Sequence, residues 1–127
     1  SNSSDERLKT EIKPIENALD KLLKLQGVTF KWRNPSEHAN QTGIQSGFVA
    51  QEVEKYFPSW VQNINPSGAD TNLVDGKIKS LTLPFEYDAL VVGAIKEQQN
   101  QIEELKTENK TLKQLVCLDH PQADICK

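Results

Sequence analysis

The stretch Val91-Val92-Gly93-Ala94-Ile95-Lys96-Glu97-Gln98-Gln99-Asn100-Gln101-Ile102-Glu103-Glu104-Leu105-Lys106-Thr107-Glu108-Asn109-Lys110-Thr111-Leu112-Lys113-Gln114-Leu115-Val116 has no glycine after Gly93, and no proline follows before Pro121. With Ile95 at heptad position a, the a series reads Ile95, Ile102, Asn109, Val116 and the d series Val91, Gln98, Leu105, Leu112. A narrow apolar seam with a polar outside of Glu, Lys, Gln, Asn and Thr is the pattern of a coiled coil between chains. The competing explanation, a long helix folded back on its own domain, would need a broader apolar face. In a parallel register Glu108 at g faces Lys113 at e of a neighbour, a favourable but small ion pair. Asn109 in the seam costs stability and fixes register. The heptads leave the number of chains open. Ile at a with Leu at d leans towards two strands, and Gln98 and Asn109 blunt that preference.

Outward from this helix, which opens near Pro84, the patterns are shorter. Ile12, Ile15, Leu19, Leu22, Leu23 and Leu25 recur at three to four residues and predict an amphipathic helix, with Pro14 in its first turn and Gly27 as its stop. From Gly27 the period becomes two. Val28, Phe30 and Trp32 alternate with Thr29, Lys31 and Arg33, a strand ended by Asn34-Pro35-Ser36. Gly47 to Phe57 reads as a turn entering a short helix that Pro58 stops, and Ser59-Trp60-Val61 as extended. Residues 62–76 are a long loop or a hairpin, followed by a short strand at Ile78, Leu81 and Leu83.

Composition narrows the function. The chain has 127 residues, 36% of them hydrophobic, and a net charge of −3. One thin-cored domain follows, which makes a core shared between chains attractive. No apolar run approaches the roughly 20 residues that span a bilayer, so no membrane partner is expected. Without a basic patch, no nucleic-acid partner is expected either. Two cysteines are too few for a zinc site, and the expectation is no metal and no cofactor.

The chain opens with Ser4-Asp5-Glu6-Arg7-Leu8-Lys9. By composition this is a polar lead-in, with Ser4 or Asp5 as a helix N-cap. A serine and a lysine five residues apart also have the makings of a dyad, in which a neutral lysine takes the hydroxyl proton and the alkoxide attacks a carbonyl. An ideal helix does not align positions i and i+5, so the segment would have to be extended or turned.

Ordered blocks then carry a resemblance. Ser4-Asp5-x-Arg7-Leu8-Lys9 is followed by Ala18-Leu19 through Leu25, Val28-x-Phe30-x-Trp32 and Gly47-Phe48-Val49-Ala50-Gln51-Glu52-Val53. Phe57-Pro58-x-x-Val61, Tyr87-x-x-Leu90 and Ala94-Ile95-Lys96-Glu97 complete the series. Each is short, but together they span residues 4 to about 115 and resemble the C-terminal intramolecular chaperone domain of phage endosialidase-type tailspikes, tail fibres and related bacterial surface fibres. The resemblance implies an α+β fold: a small helix-plus-strand domain followed by a long C-terminal helix forming a parallel trimeric coiled coil. The expected partition is residues 1–3 as an upstream flank or remnant, 4–90 as the globular part, 91–116 as the coil and 117–127 as a tail.

It also implies a homotrimer that guides folding of upstream fibre domains of the same polypeptide and then releases itself. Ser4 would be the nucleophile and Lys9 its general base, with the cleavage site at Ser3–Ser4. This is a single-turnover serine autoprotease acting in cis, with no turnover on other substrates. Ser3 and Ser4 are adjacent, so the assignment could slip by one, and Ser4 fits the family spacing to Lys9. A non-cleaving trimerisation domain or adhesin tip is the rival. Phage origin implies a precursor in the host cytoplasm; a bacterial fibre implies the cell surface.

Other residues read more plainly. Phe30, Trp32, Phe48, Phe57 and Trp60 suit a core or a subunit interface. Gln51 and Glu52 suit a solvated helix face, and His38 and His120 polar surface loops. Cys117 and Cys126 flank a segment containing Pro121, and an intrachain disulfide, free thiols or interchain bonds all remain open. A closed bridge would favour an extracellular fibre.

Overall fold

A computed structural model describes residues 3–127; Ser1 and Asn2 of the expected 1–3 flank lie outside the described residues. Helices and strands are mixed, as an α+β fold requires, and the chain divides into two compact units. One contains the segment up to Leu19 with Ala89–Lys127, the other Asp20–Asp88.

In the 20–88 unit, β1 (Val28–Phe30) pairs antiparallel with β2 (Gln45–Gly47), placing Val28 opposite Gly47 and Phe30 opposite Gln45. The alternation of Val28, Phe30 and Trp32 appears as half-buried positions between the exposed Thr29 and Lys31. Helix α2 (Ala50–Glu54) follows, and Pro58 ends the segment by starting a 3-10 turn, Pro58–Trp60, where an extended stretch is predicted. The stretch 62–76 is part of a hairpin: β3 (Val61–Ile64) pairs antiparallel with β4 (Ile78–Leu81), Val61 opposite Leu81. Thr82 N–H donates to the Trp60 carbonyl at 2.9 Å and extends the ladder by one bond.

Two-stranded ribbons are marginal alone, and an aromatic cluster supports them. Val53 and Trp60 are buried, and Phe57 stacks on Trp60 with centroids 4.0 Å apart. Tyr87 meets the edges of Trp60 and Phe48 at 6.1 and 6.2 Å. The Trp60 indole Nε1–H donates to Glu86 Oε1 at 2.9 Å, so its polar atom is not buried unpaired.

In the other unit the long helix α3 runs from Phe85 to Asp119, its first residues belonging to the 20–88 unit. The predicted helix over 12–25 is much shorter: α1 is Ala18–Leu22. Glu11 and Asn17 stand at φ 54° and 56°, the left-handed region that stops a right-handed helix. Pro14 also disfavours helical backbone at the residue before it. The helix starts where its amides find an acceptor: Ala18 and Leu19 N–H donate to Glu97 Oε1 and Oε2 at 2.9 and 3.1 Å. Gly93 permits this approach, because a Cβ there would lie 3.0 Å from Ala18 Cβ. Ala18, Leu19, Leu90 and Ala94 are buried.

Candidate functional site

Residues 4–9 form a compact turn. Asp5 is the N-cap of a 3-10 turn, Glu6–Leu8, and its Oδ1 accepts from Arg7 N–H at 2.9 Å. The Arg7 guanidinium closes on the same carboxylate, with Nε 2.9 Å from Oδ1 and Nη2 2.6 Å from Oδ2. These bonds, the guanidinium first and the backbone N–H second, hold the Asp5 carboxyl below its ordinary 3.8. Leu8 N–H and Lys9 N–H donate to the carbonyls of Asp5 and Glu6, both at 3.0 Å.

Lys9 then leaves the turn extended, at φ −123° and ψ 155°. Its Nζ comes back over five residues to lie 2.6 Å from Ser4 Oγ, and it donates to the Ser4 carbonyl at 3.2 Å. A 3-10 turn thus brings together two side chains that an α-helix would splay. Asp5 does the capping, which leaves the Ser4 hydroxyl to Lys9. Ser3, Ser4 and Lys9 are all exposed in the single chain.

The candidate seam lies along α3. From Gln98 to Val116 every residue is exposed, including Ile102 at 45%, Leu105 and Leu112 at 59%, and Val116 at 43%. Gln98 and Asn109 are exposed on the same stripe, as is Ile95, while Val91 is half-buried. Beyond the helix, Cys117 and Cys126 are joined as an intrachain disulfide with Cα atoms 5.7 Å apart.

Two constellations carry no local signal in the sequence. His38, expected at the surface, is part-buried: Nε2 lies 2.9 Å from Asp70 Oδ2, and its ring stacks on Trp32 with centroids 3.5 Å apart. Asn34 Nδ2 donates to Asp70 Oδ1 at 2.9 Å, so Asp70 ties down the loop that Pro35 opens. The partners lie 32 and 36 residues apart, beyond any spacing rule. The second is Glu97, whose anchoring of α1 is legible only as an acidic residue opposite a helix start without its own cap. Gln51 and Glu52 are exposed, and Glu52 pairs with Lys55 at 2.7 Å. Among the described residues no three His, Cys, Asp or Glu side chains converge as a metal site, and no helix is long and apolar enough to cross a membrane.

Residues 4–62 match the family model described as the chaperone of endosialidase. The long tail fiber protein Gp37 of Enterobacteria phage K3 is 35% identical over 107 residues, 82% of this chain and 8% of that protein. Gp37 of Salmonella phage S16 is 34% identical over 116 residues, 90% of this chain and 14% of the relative. Gp37 of Enterobacteria phage M1 is 30% identical over 105 residues, 82% of this chain and 39% of the relative. The chain thus spans well under half the length of these relatives.

Proposed function

Through residues 4–62 the chain belongs to the endosialidase-chaperone family, and from that premise we propose that it is the assembly domain of a phage tail fibre, made in the host cell. Three copies join along α3, hold the fibre segments that precede them in register while these fold, and are then cut away at Ser3–Ser4. Assembly is supported by the seam: an isolated helix exposing Ile102, Leu105, Leu112 and Val116 on one stripe leaves apolar surface in water that sister helices would cover. Membership in the family supports a trimer over a dimer.

The observation that carries the cleavage is the 2.6 Å approach of Lys9 Nζ to Ser4 Oγ. Ser4 follows the bond to be cut, so its Oγ reaches the Ser3 carbonyl carbon through a five-membered ring, without any bimolecular encounter. Lys9 takes the Oγ proton as the Oγ–C bond forms, and the proton passes to the Ser4 nitrogen as the C–N bond breaks. The product is an ester of Ser3 on Ser4 Oγ. Water then adds to the ester carbon, the C–Oγ bond breaks, and the hydroxyl is restored beside a new carboxylate.

A lysine accepts a proton only in its neutral form, which burial favours and water does not. Ser4 and Lys9 are exposed in the single chain, so neighbouring chains and the folded fibre supply the burial, and cutting waits for assembly. The test is to express the chain with its upstream fibre and sequence the N-terminus of any fragment on a denaturing gel. A fragment beginning Ser4-Asp5-Glu6 is expected; an intact chain in a properly assembled fibre overturns cleavage and leaves a permanent trimerisation domain.

A further inference from the structure

We propose that the disulfide-closed tail, residues 117–126, builds a socket on the end of the coil that receives the helix of a second copy of this chain. The inference rests on the assembly of copies along α3.

After Asp119 the chain reverses at Pro121, passes through a 3-10 turn at Asp124–Cys126, and is tied back to the helix by the Cys117–Cys126 bridge. The reversal carries Ile125 back beside Leu112 and Val116, and together they line an open cleft of about 450 Å³ rimmed by Lys106, Lys110 and Lys113. Ile125 is 58% exposed there, a large apolar side chain aimed along the seam with no cover.

Charge and register point to a sister helix as the occupant. Lys106 and Lys113 hold e positions and Lys110 a b position, so the cleft's rim is basic. The opposite flank of the same helix carries Glu104 and Glu108, at c and g. Parallel packing sets the g flank of one helix against the e flank of the next, so Glu108 of one copy meets Lys113 of the other. The next g residue is Leu115, 57% exposed and outside the a and d series. The e position facing it is His120, which lies beyond the end of α3. Ile125, brought back by the disulfide, supplies the apolar partner that the ending helix lacks.

The full chain is tested by sedimentation across a concentration series, with helix content followed by circular dichroism. Ile125→Ala and Leu115→Ala should each weaken association by roughly ten- to a hundredfold without loss of helix, the scale of one buried aliphatic side chain. The double variant should lose little more than either single one, because both changes remove the same contact. Opening the bridge with a phosphine reductant should weaken the wild type by a similar factor and leave Ile125→Ala unaffected. Association that is unchanged in both variants, or losses that simply add, overturns the socket while the coil stands. A wild-type chain that stays monomeric throughout overturns the assembly reading, and the socket with it.

Discussion

At Ser4 and Lys9 the chemistry depends on a hydroxyl and an amine held 2.6 Å apart by one 3-10 turn. Lys9→Ala should slow cleavage by roughly 10²–10⁴-fold, the usual contribution of a positioned general base. Lys9→Arg should be no better, because a guanidinium does not give up its proton near neutral pH. Both are read as the half-time of fragment appearance on a gel, with Ser4→Ala as the uncut but assembled control. Asp5 sets the turn and has its own signature. Its carboxyl titrates below 3.8 because Arg7 hydrogen-bonds it. Since the folded value is the lower one, the turn's contribution is present above the unfolded value and is lost as pH falls through the folded value. A carbon-13 NMR titration should therefore find the Asp5 midpoint depressed, and Arg7→Ala should return it towards 3.8. A midpoint that ignores Arg7 would remove the guanidinium from the explanation.

Among the elements, the β3–β4 hairpin depends most on one side chain. Trp60 closes the 3-10 turn before β3, stacks on Phe57 and donates to Glu86. Trp60→Ala should cost about 3–5 kcal/mol in denaturant unfolding. Trp60→Phe, which keeps an aromatic ring and leaves Glu86 without its donor, should cost about 1–2 kcal/mol. Equal losses in the two variants would mean that the indole N–H, rather than the packing, holds the hairpin. Helix α1 teaches the opposite lesson about periodicity. The apolar spacing from Ile12 to Leu25 is real, but only Ala18–Leu22 is helical, because the left-handed Asn17 and the Glu97 carboxylate decide where the helix begins.

For the whole molecule the decisive surface is the bare stripe of α3. Ile102→Asp combined with Leu105→Asp should abolish association in sedimentation experiments while leaving the 20–88 unit folded. Each carboxylate would otherwise enter a dry seam against its own copies. An associated double variant would mean that the copies join elsewhere. Asn109, retained in the seam, is the counterweight: Asn109→Ile should raise the melting temperature of the assembly and loosen its register.

The amino-acid sequence alone determined the long helix, its heptad phase, the short α2 stopped by Pro58 and the alternating strand at Val28. Each of these follows from a local period or a local breaker. It also held the Ser4 and Lys9 pair, as residue types at a spacing, although no period says that a 3-10 turn will close them. Tertiary structure alone decided what depends on distant partners. Asp70 reaches His38 and Asn34 across more than thirty residues, and Glu97 reaches Ala18 and Leu19 across nearly eighty. Ile125 is turned back onto the helix by a bridge whose pairing two cysteines cannot announce. Backbone hydrogen bonding and side-chain periodicity act within a few residues and are written along the chain, whereas caps, loop ties and clasps exist only once folding has brought their partners together.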